Sequence, residues 1–212
     1  MMRELDNSRF LACMEVSTIG IKNKKLKEVC KIITGVPEWK KKIYEGYSYK
    51  CIHPSSLDEF DVIKEFDEHL RPQEISDKAL LEQGDILIKR LSPSYVNVFH
   101  SQTEKVYVTS NILIVRPQKG INSHYIASIL EMQGISKLNH FSRKGTTIQS
   151  VSKKELGEIS IPVISLELQE KYGELRRLNN NKRMLIRELE EQEKKLLKGV
   201  YQNLVTEDCN DN

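Results

Sequence analysis

The stretch from about Ser165 to Leu204 constrains this chain more than any other. It holds no proline and only two glycines, and it is densely charged. Leu168, Leu175, Leu178, Leu185, Leu189 and Leu196 fall on the a and d positions of one heptad frame, with Lys182 and Gln192 as polar interruptions of the same seam. Apolar residues at that spacing share one side of an α-helix, and a strict a/d stripe is the narrow seam of a coiled coil. A helix of roughly 38 residues is some 57 Å long at about 1.5 Å per residue. That exceeds what a domain of this size can cover along its whole length. The expectation is a long helix over 165–204 that pairs with a helix of a partner chain, followed by a frayed, disordered tail over 205–212.

The region before it follows different rules. From about Leu26 to Pro162, short apolar runs are broken by turn signals, as in a compact mixed domain. "LKEVCKIITG" (26–35) reads as a strand stopped by Gly35 and Pro37. "GDILIKR" (84–90) alternates after a Gly-Asp turn, and "VNVFH" (96–100), "KVYVTSNILIVRP" (105–117) and "GEISIPV" (157–163) are further strand candidates. "SHYIASILEMQGISKLNHF" (123–141) places Tyr125, Ile126, Ile129, Leu130 and Met132 at helical spacing, with Ser123 as its N-cap. The fold class expected is therefore α+β. A β-rich domain over 24–164, preceded by an extension over 1–23, carries one long C-terminal helix.

Composition narrows the function by exclusion. The net charge of +3 is modest, and residues 165–212 carry nine Lys/Arg against ten Asp/Glu, so the basic excess lies in the front of the chain. That permits nucleic-acid binding without requiring it. Four scattered cysteines form no C-x-x-C pair, and the five histidines show no metal spacing. No stretch has the apolar length of a membrane span, and the expected location is the cytoplasm. Phosphate-loop, dinucleotide and zinc-protease motifs are absent, as is the Asn-Pro-Pro-Tyr tetrapeptide of adenine methyltransferases. Glu38-Trp39-Lys40 has the acid-x-lysine end of a nuclease motif, but no aspartate precedes it at short range and Pro37 favours a turn. Eight carboxylates against two cations over 57–77 read as a solvated face or loop. No enzyme, cofactor or metal is expected.

A binding role remains. Basic, aromatic and amide side chains interleave in "PEWKKKIYEGYSYK" (37–50) and "KRLSPSYVNVFHSQ" (89–102). Arg and Lys suit guanine edges, Asn and Gln suit adenine, and Tyr, Ser and Thr suit phosphate. Lys89, Arg90, Ser92, Tyr95 and Asn97 are the first candidates for base contact, and Lys41, Lys42, Tyr44 and Tyr47 the second. In "SRKGTTIQSVSKKEL" (142–156), Arg143, Lys144, Thr146 and Thr147 suit phosphate or a structural junction, while Ser152 and Glu155 form a capping box that starts a helix.

Several of these segments, in this order, resemble one half of a type I restriction-modification DNA specificity subunit. "LKEVCKIITGVP", "GYSYKCIHPSSL", "LLEQGDILIKR" and "VTSNILIVRP" are similar to its successive strands. "KGTTIQSVSKKELGEISIPVISLELQEKY", with Pro162 and Gln169, is similar to the junction between target recognition domain and conserved helix. The resemblance covers about residues 24–202. It implies a non-catalytic subunit that reads double-stranded DNA through its recognition domain and binds adenine methyltransferase subunits through its helix, with the restriction translocase in the full complex. Typical members carry two recognition domains, whereas this chain shows one. That departure implies a homodimer with antiparallel helices and a split, palindromic target. A fragment of a longer subunit, the specificity partner of a type IIB-like enzyme, and a coiled-coil scaffold that binds no DNA are the alternatives.

Overall fold

The runs Ile86-Leu87-Ile88 and Ile112 to Val115, apolar on both faces, set the architecture of the head. They lie in β5 (Ile86–Lys89) and β8 (Ile112–Pro117), where successive side chains point to opposite sides. Ile86, Ile88, Leu113 and Val115 enter one core, while Leu87, Ile112 and Ile114 enter another. The structure, a computed structural model, describes residues 22–37, 48–61, 63, 67–70, 79–91, 93–100, 105–133, 135 and 150–208.

A four-stranded antiparallel sheet in the order β2-β8-β5-β6 separates the two cores, with β2 at Cys30–Thr34 and β6 at Val96–Val98. Its register places Ile33 opposite Ile114 and Leu87 opposite Ile114 on the other side. The first core is closed by α1 (Leu26–Val29), α2 (Ser123–Met132) and α3 (Lys153–Gly157), which contribute Leu26, Ile126, Leu130 and Leu156, all with no exposed surface. The second core is closed by a three-stranded sheet in the order β4-β3-β7. There β3 (Ser48–Ile52) runs antiparallel to β4 (Asp67–Leu70) and parallel to β7 (Val106–Val108). A ribbon of β1 (Lys22–Lys25) and β9 (Ser160–Val163) then delivers the chain to α4 (Leu166–Asp208), a helix of 43 residues. At about 1.5 Å per residue it is some 65 Å long. A β-rich domain followed by one long helix is the architecture the sequence predicts.

Three local expectations are revised. Residues 26–29 form a helical turn before the strand begins, because Leu26 and Val29, three apart, both face the first core. Asn122 rather than Ser123 caps α2: its side chain accepts from the Tyr125 amide at 2.9 Å, leaving the Ser123 hydroxyl to donate to Gly84 O at 2.6 Å. Helix α4 continues to Asp208, four residues beyond its expected end at 204. The capping box is present as predicted. Ser152 Oγ accepts from the Glu155 amide at 3.1 Å, and the Glu155 carboxylate accepts from the Ser152 amide at 3.3 Å.

The Gly-Asp turn before β5 explains why two distant segments of the sequence occur together. Gly84 takes a φ of +85°, open to glycine at no steric cost. Asp85, 1 % exposed, then accepts two hydrogen bonds from Arg116 of β8, at 2.8 and 2.7 Å. A bidentate pair of this kind ties the start of β5 to the end of β8.

Candidate nucleic-acid interface and helix junction

The head presents its first candidate loop between β5 and β6. Lys89 and Tyr95 sit at its base, both half-buried, with the Lys89 ammonium 5.0 Å from the centre of the Tyr95 ring. That stacking holds a cation and a phenol side by side at the edge of the sheet. Arg90 is turned inward. Its Nε donates to Val151 O and its Nη1 to Ser110 O, both at 3.1 Å. Asn97 is a correction: it has no exposed surface, its Nδ2 donates to Asp58 O at 3.1 Å, and it is therefore a strut of the head. Ser92 lies outside the described residues, as do Lys41, Lys42, Tyr44, Tyr47, Arg143, Lys144, Thr146 and Thr147. The end of the junction stretch does meet the loop, since Leu91 and Ser150 form a β-bridge and the Val151 amide donates to Arg90 O at 2.9 Å.

The long helix meets the head through polar residues. Gln169, Arg176 and Asn180 are at most 5 % exposed, an unusual burial for such side chains. Gln169 Nε2 donates to Ile164 O at 2.9 Å and its Oε1 accepts from the Asn122 amide at 3.0 Å. Gly173 approaches α2 so closely that a Cβ there would lie 2.6 Å from Asn122 Oδ1. Arg176 satisfies all five of its N–H donors. Nε and Nη2 grip Glu131 at 3.0 and 2.7 Å, Nη1 reaches Asp61 at 2.7 Å and His124 Nδ1 at 3.2 Å, and Nη2 also donates to Val96 O at 3.0 Å. Further along, Arg183 and Arg187 stack over the Phe60 ring and pair with Glu59 at 3.0 and 3.5 Å.

Burial moves the charges of this junction. It pushes the Glu131 carboxyl above its ordinary value against the pull of Arg176. His124 drops to about 4, chiefly through burial, with Asp61 opposing and His100, Arg176 and Arg177 adding to the fall. His100 and His124 are stacked, their Nε2 atoms 2.7 Å apart. Part of the acidic stretch read as a solvated face is thus a docking point, because Asp61, at a left-handed φ of 70°, spends one carboxylate oxygen on the Val98 amide and the other on Arg176.

The leucines point the other way. Exposure along the seam runs from 44 % at Leu168 to 69 % at Leu196, with Leu175, Leu178, Leu185 and Leu189 between. At 100° per residue, positions 169, 173, 176, 180, 183 and 187 form a stripe centred about 150° around the helix from the a/d seam. One heptad carries two seams, a polar one against the head and an apolar one facing away.

A model of the type I restriction modification DNA specificity domain matches residues 19–197. The chain belongs to this family. Two solved structures share the specificity-domain fold. One, from work on complex assembly and conformational transition of the type I R-M system, has a TM-score of 0.65 at 18 % identity and covers 87 % of this chain and 44 % of its own. The other, the HsdS subunit from Thermoanaerobacter tengcongensis, has a TM-score of 0.59 at 16 % identity and covers 84 % of this chain and 47 % of its own. The specificity domain described here thus spans less than half of either solved chain. No curated protein matches. Among the described residues, no group of three His, Cys, Asp or Glu is placed to hold a metal ion, and no helix is long and apolar enough to cross a membrane.

Sequence reasoning missed Asp61, His124, Glu131, Arg176 and Asn180. A faint signal existed in the seven-residue spacing of Gln169, Arg176 and Arg183, and of Gly173, Asn180 and Arg187.

Proposed function

We propose that this chain binds double-stranded DNA sequence-specifically through the loops of its head and pairs through the leucine seam of α4 with a second copy of itself. The observation that carries this reading is the division of α4 into a head-facing polar seam and an outward leucine seam in a member of the DNA specificity family. Two copies joined antiparallel place a head at each end, so the assembly reads an interrupted palindrome, and the helix length sets the gap. Lys182 and Gln192 fix the register of the pair. The paired helices are also the surface that recruits adenine methyltransferase subunits and, in a full complex, the restriction translocase.

Lys89 and Tyr95 are assigned to base contact together with Ser92, Lys41, Lys42, Tyr44 and Tyr47. Arg143, Lys144, Thr146 and Thr147 are assigned to phosphate. Arg90 acts as a brace that holds the loop to the junction.

A binding-site selection on random duplexes tests the reading. The expected product is one half-site repeated in inverted orientation, and Lys89→Ala should relax a single base position at a cost of roughly 1–3 kcal/mol. A chain that prefers no duplex, even with methyltransferase subunits present, is a scaffold instead.

A further inference from the structure

The structure assigns Arg176 a role that the family reading leaves open. We propose that it is the positioning residue that fixes the angle between head and helix, and with it the gap between half-sites that two heads can read. This inference rests on the dimeric DNA-binding reading above.

Three separate parts of the head converge on this one guanidinium: Asp61 before β4, Val96 of β6, and His124 and Glu131 of α2. With every donor satisfied, neither rotation of α4 about its axis nor a tilt away from α2 is possible without breaking a buried charged hydrogen bond. Gln169 holds the helix two turns earlier, so it is the natural pivot once Arg176 is lost. The lever beyond the clasp is long. From Arg176 to Leu196 the helix extends about 30 Å, so a tilt of roughly 10° moves the outer seam by about 5 Å. Duplex DNA rises about 3.4 Å per base pair, so a swing of that size directed along the duplex exceeds one base pair of gap. A single gap length therefore requires a stiff joint, and among the described residues Arg176 makes the most side-chain hydrogen bonds between α4 and the head. Peripheral pairs do not substitute, because Arg183, Arg187 and Glu59 are each roughly half exposed.

The test uses the full chain with Arg176→Gln, Arg176→Lys and Glu131→Gln. Glu131→Gln removes one of the two carboxylates on Arg176 and leaves Asp61, at 2.7 Å, to pair the buried guanidinium, so it weakens the clasp without stranding that charge. Binding-site selection should return the same half-site sequence from wild type and variants. Wild type should take one gap length, whereas Arg176→Gln and Glu131→Gln should accept gaps at least one base pair shorter and longer and bind the wild-type gap several-fold more weakly. Arg176→Lys should fall between. Variants that keep the single gap, or that lose the half-site sequence itself, would overturn the assignment.

A second readout separates this claim from the reading it rests on. Spin labels at Lys119→Cys and Gly199→Cys, in a chain with Cys13 and Cys209 replaced by serine and diluted with unlabelled chain, report the head-to-helix distance directly. The wild-type distribution should be single and narrow and the Glu131→Gln distribution broad, whatever DNA does. An unchanged distribution removes the clasp. If the broadening appears but wild type selects no split target, the DNA reading fails and the gap-setting role fails with it.

Discussion

The two seams of α4 have the same repeat and opposite chemistry. The head-facing seam is polar and buried: Gln169 and Arg176 meet backbone groups and carboxylates at fixed points, and Asn180 is buried in the same stripe. The outward seam is leucine and half exposed or more at most positions. Apolar contact is non-directional and sums with area, so it suits a surface whose partner can join by sliding into register. Hydrogen bonds to a guanidinium are directional and costly when broken, so they suit a joint whose angle matters. The helix thus fixes its own head with one chemistry and leaves the other exposed.

Acid should open the first seam and spare the second, and this is the largest effect expected. An unfolded histidine titrates near 6.5, while His124 in the folded chain is held at about 4. Between those values the unfolded state carries a proton that the folded state lacks. Stability from this group is complete above pH 6.5 and is lost as the pH falls toward 4, by at most about 3 kcal/mol. Glu131, raised in the folded state by burial, runs in the opposite sense. Melting temperatures from pH 7.5 to 5 should fall steadily in wild type and much less in His124→Asn. Equal slopes would show that the junction carries no such group.

A smaller effect sharpens the same contrast. Replacing an ordinary helical glycine with alanine stabilises by roughly 1 kcal/mol. Gly173→Ala should do the reverse and destabilise by about 1–3 kcal/mol, because its Cβ collides with the Asn122 oxygen that caps α2 and with the His124 Cβ. Gly199→Ala, with nothing within 4 Å, should show the ordinary gain. A denaturant titration of the two variants checks both signs, and a gain at both positions would deny that α4 sits tightly on α2.

What the sequence disclosed follows from the range of each interaction. The leucine seam, the Ser152–Glu155 cap and the short apolar runs of β5 and β8 are local patterns, readable over a few residues. The alternation expected of 84–90 is absent because β5 is buried on both faces. The strand ending at Thr34 was legible too, though its first turn was not, since Leu26 and Val29 fit either a strand or a helix. The junction was invisible for the opposite reason. Arg176 meets Asp61, His124 and Glu131 across 115, 52 and 45 positions, and nothing local marks a charged residue as buried. Asn97 misled because amide chemistry suits adenine equally well on a surface loop and in a core strand. Exposure, which the sequence does not state, decides between them.

The central claim is that the leucine seam is a surface for a second copy. Its most direct test is the mass in solution at micromolar concentration, by light scattering, with and without duplex DNA. The account predicts twice the 24.6 kDa chain mass for wild type, and a folded monomer with unchanged circular dichroism at the head for Leu178→Glu with Leu189→Glu. A wild-type mass of one chain, unchanged by DNA, would contradict it.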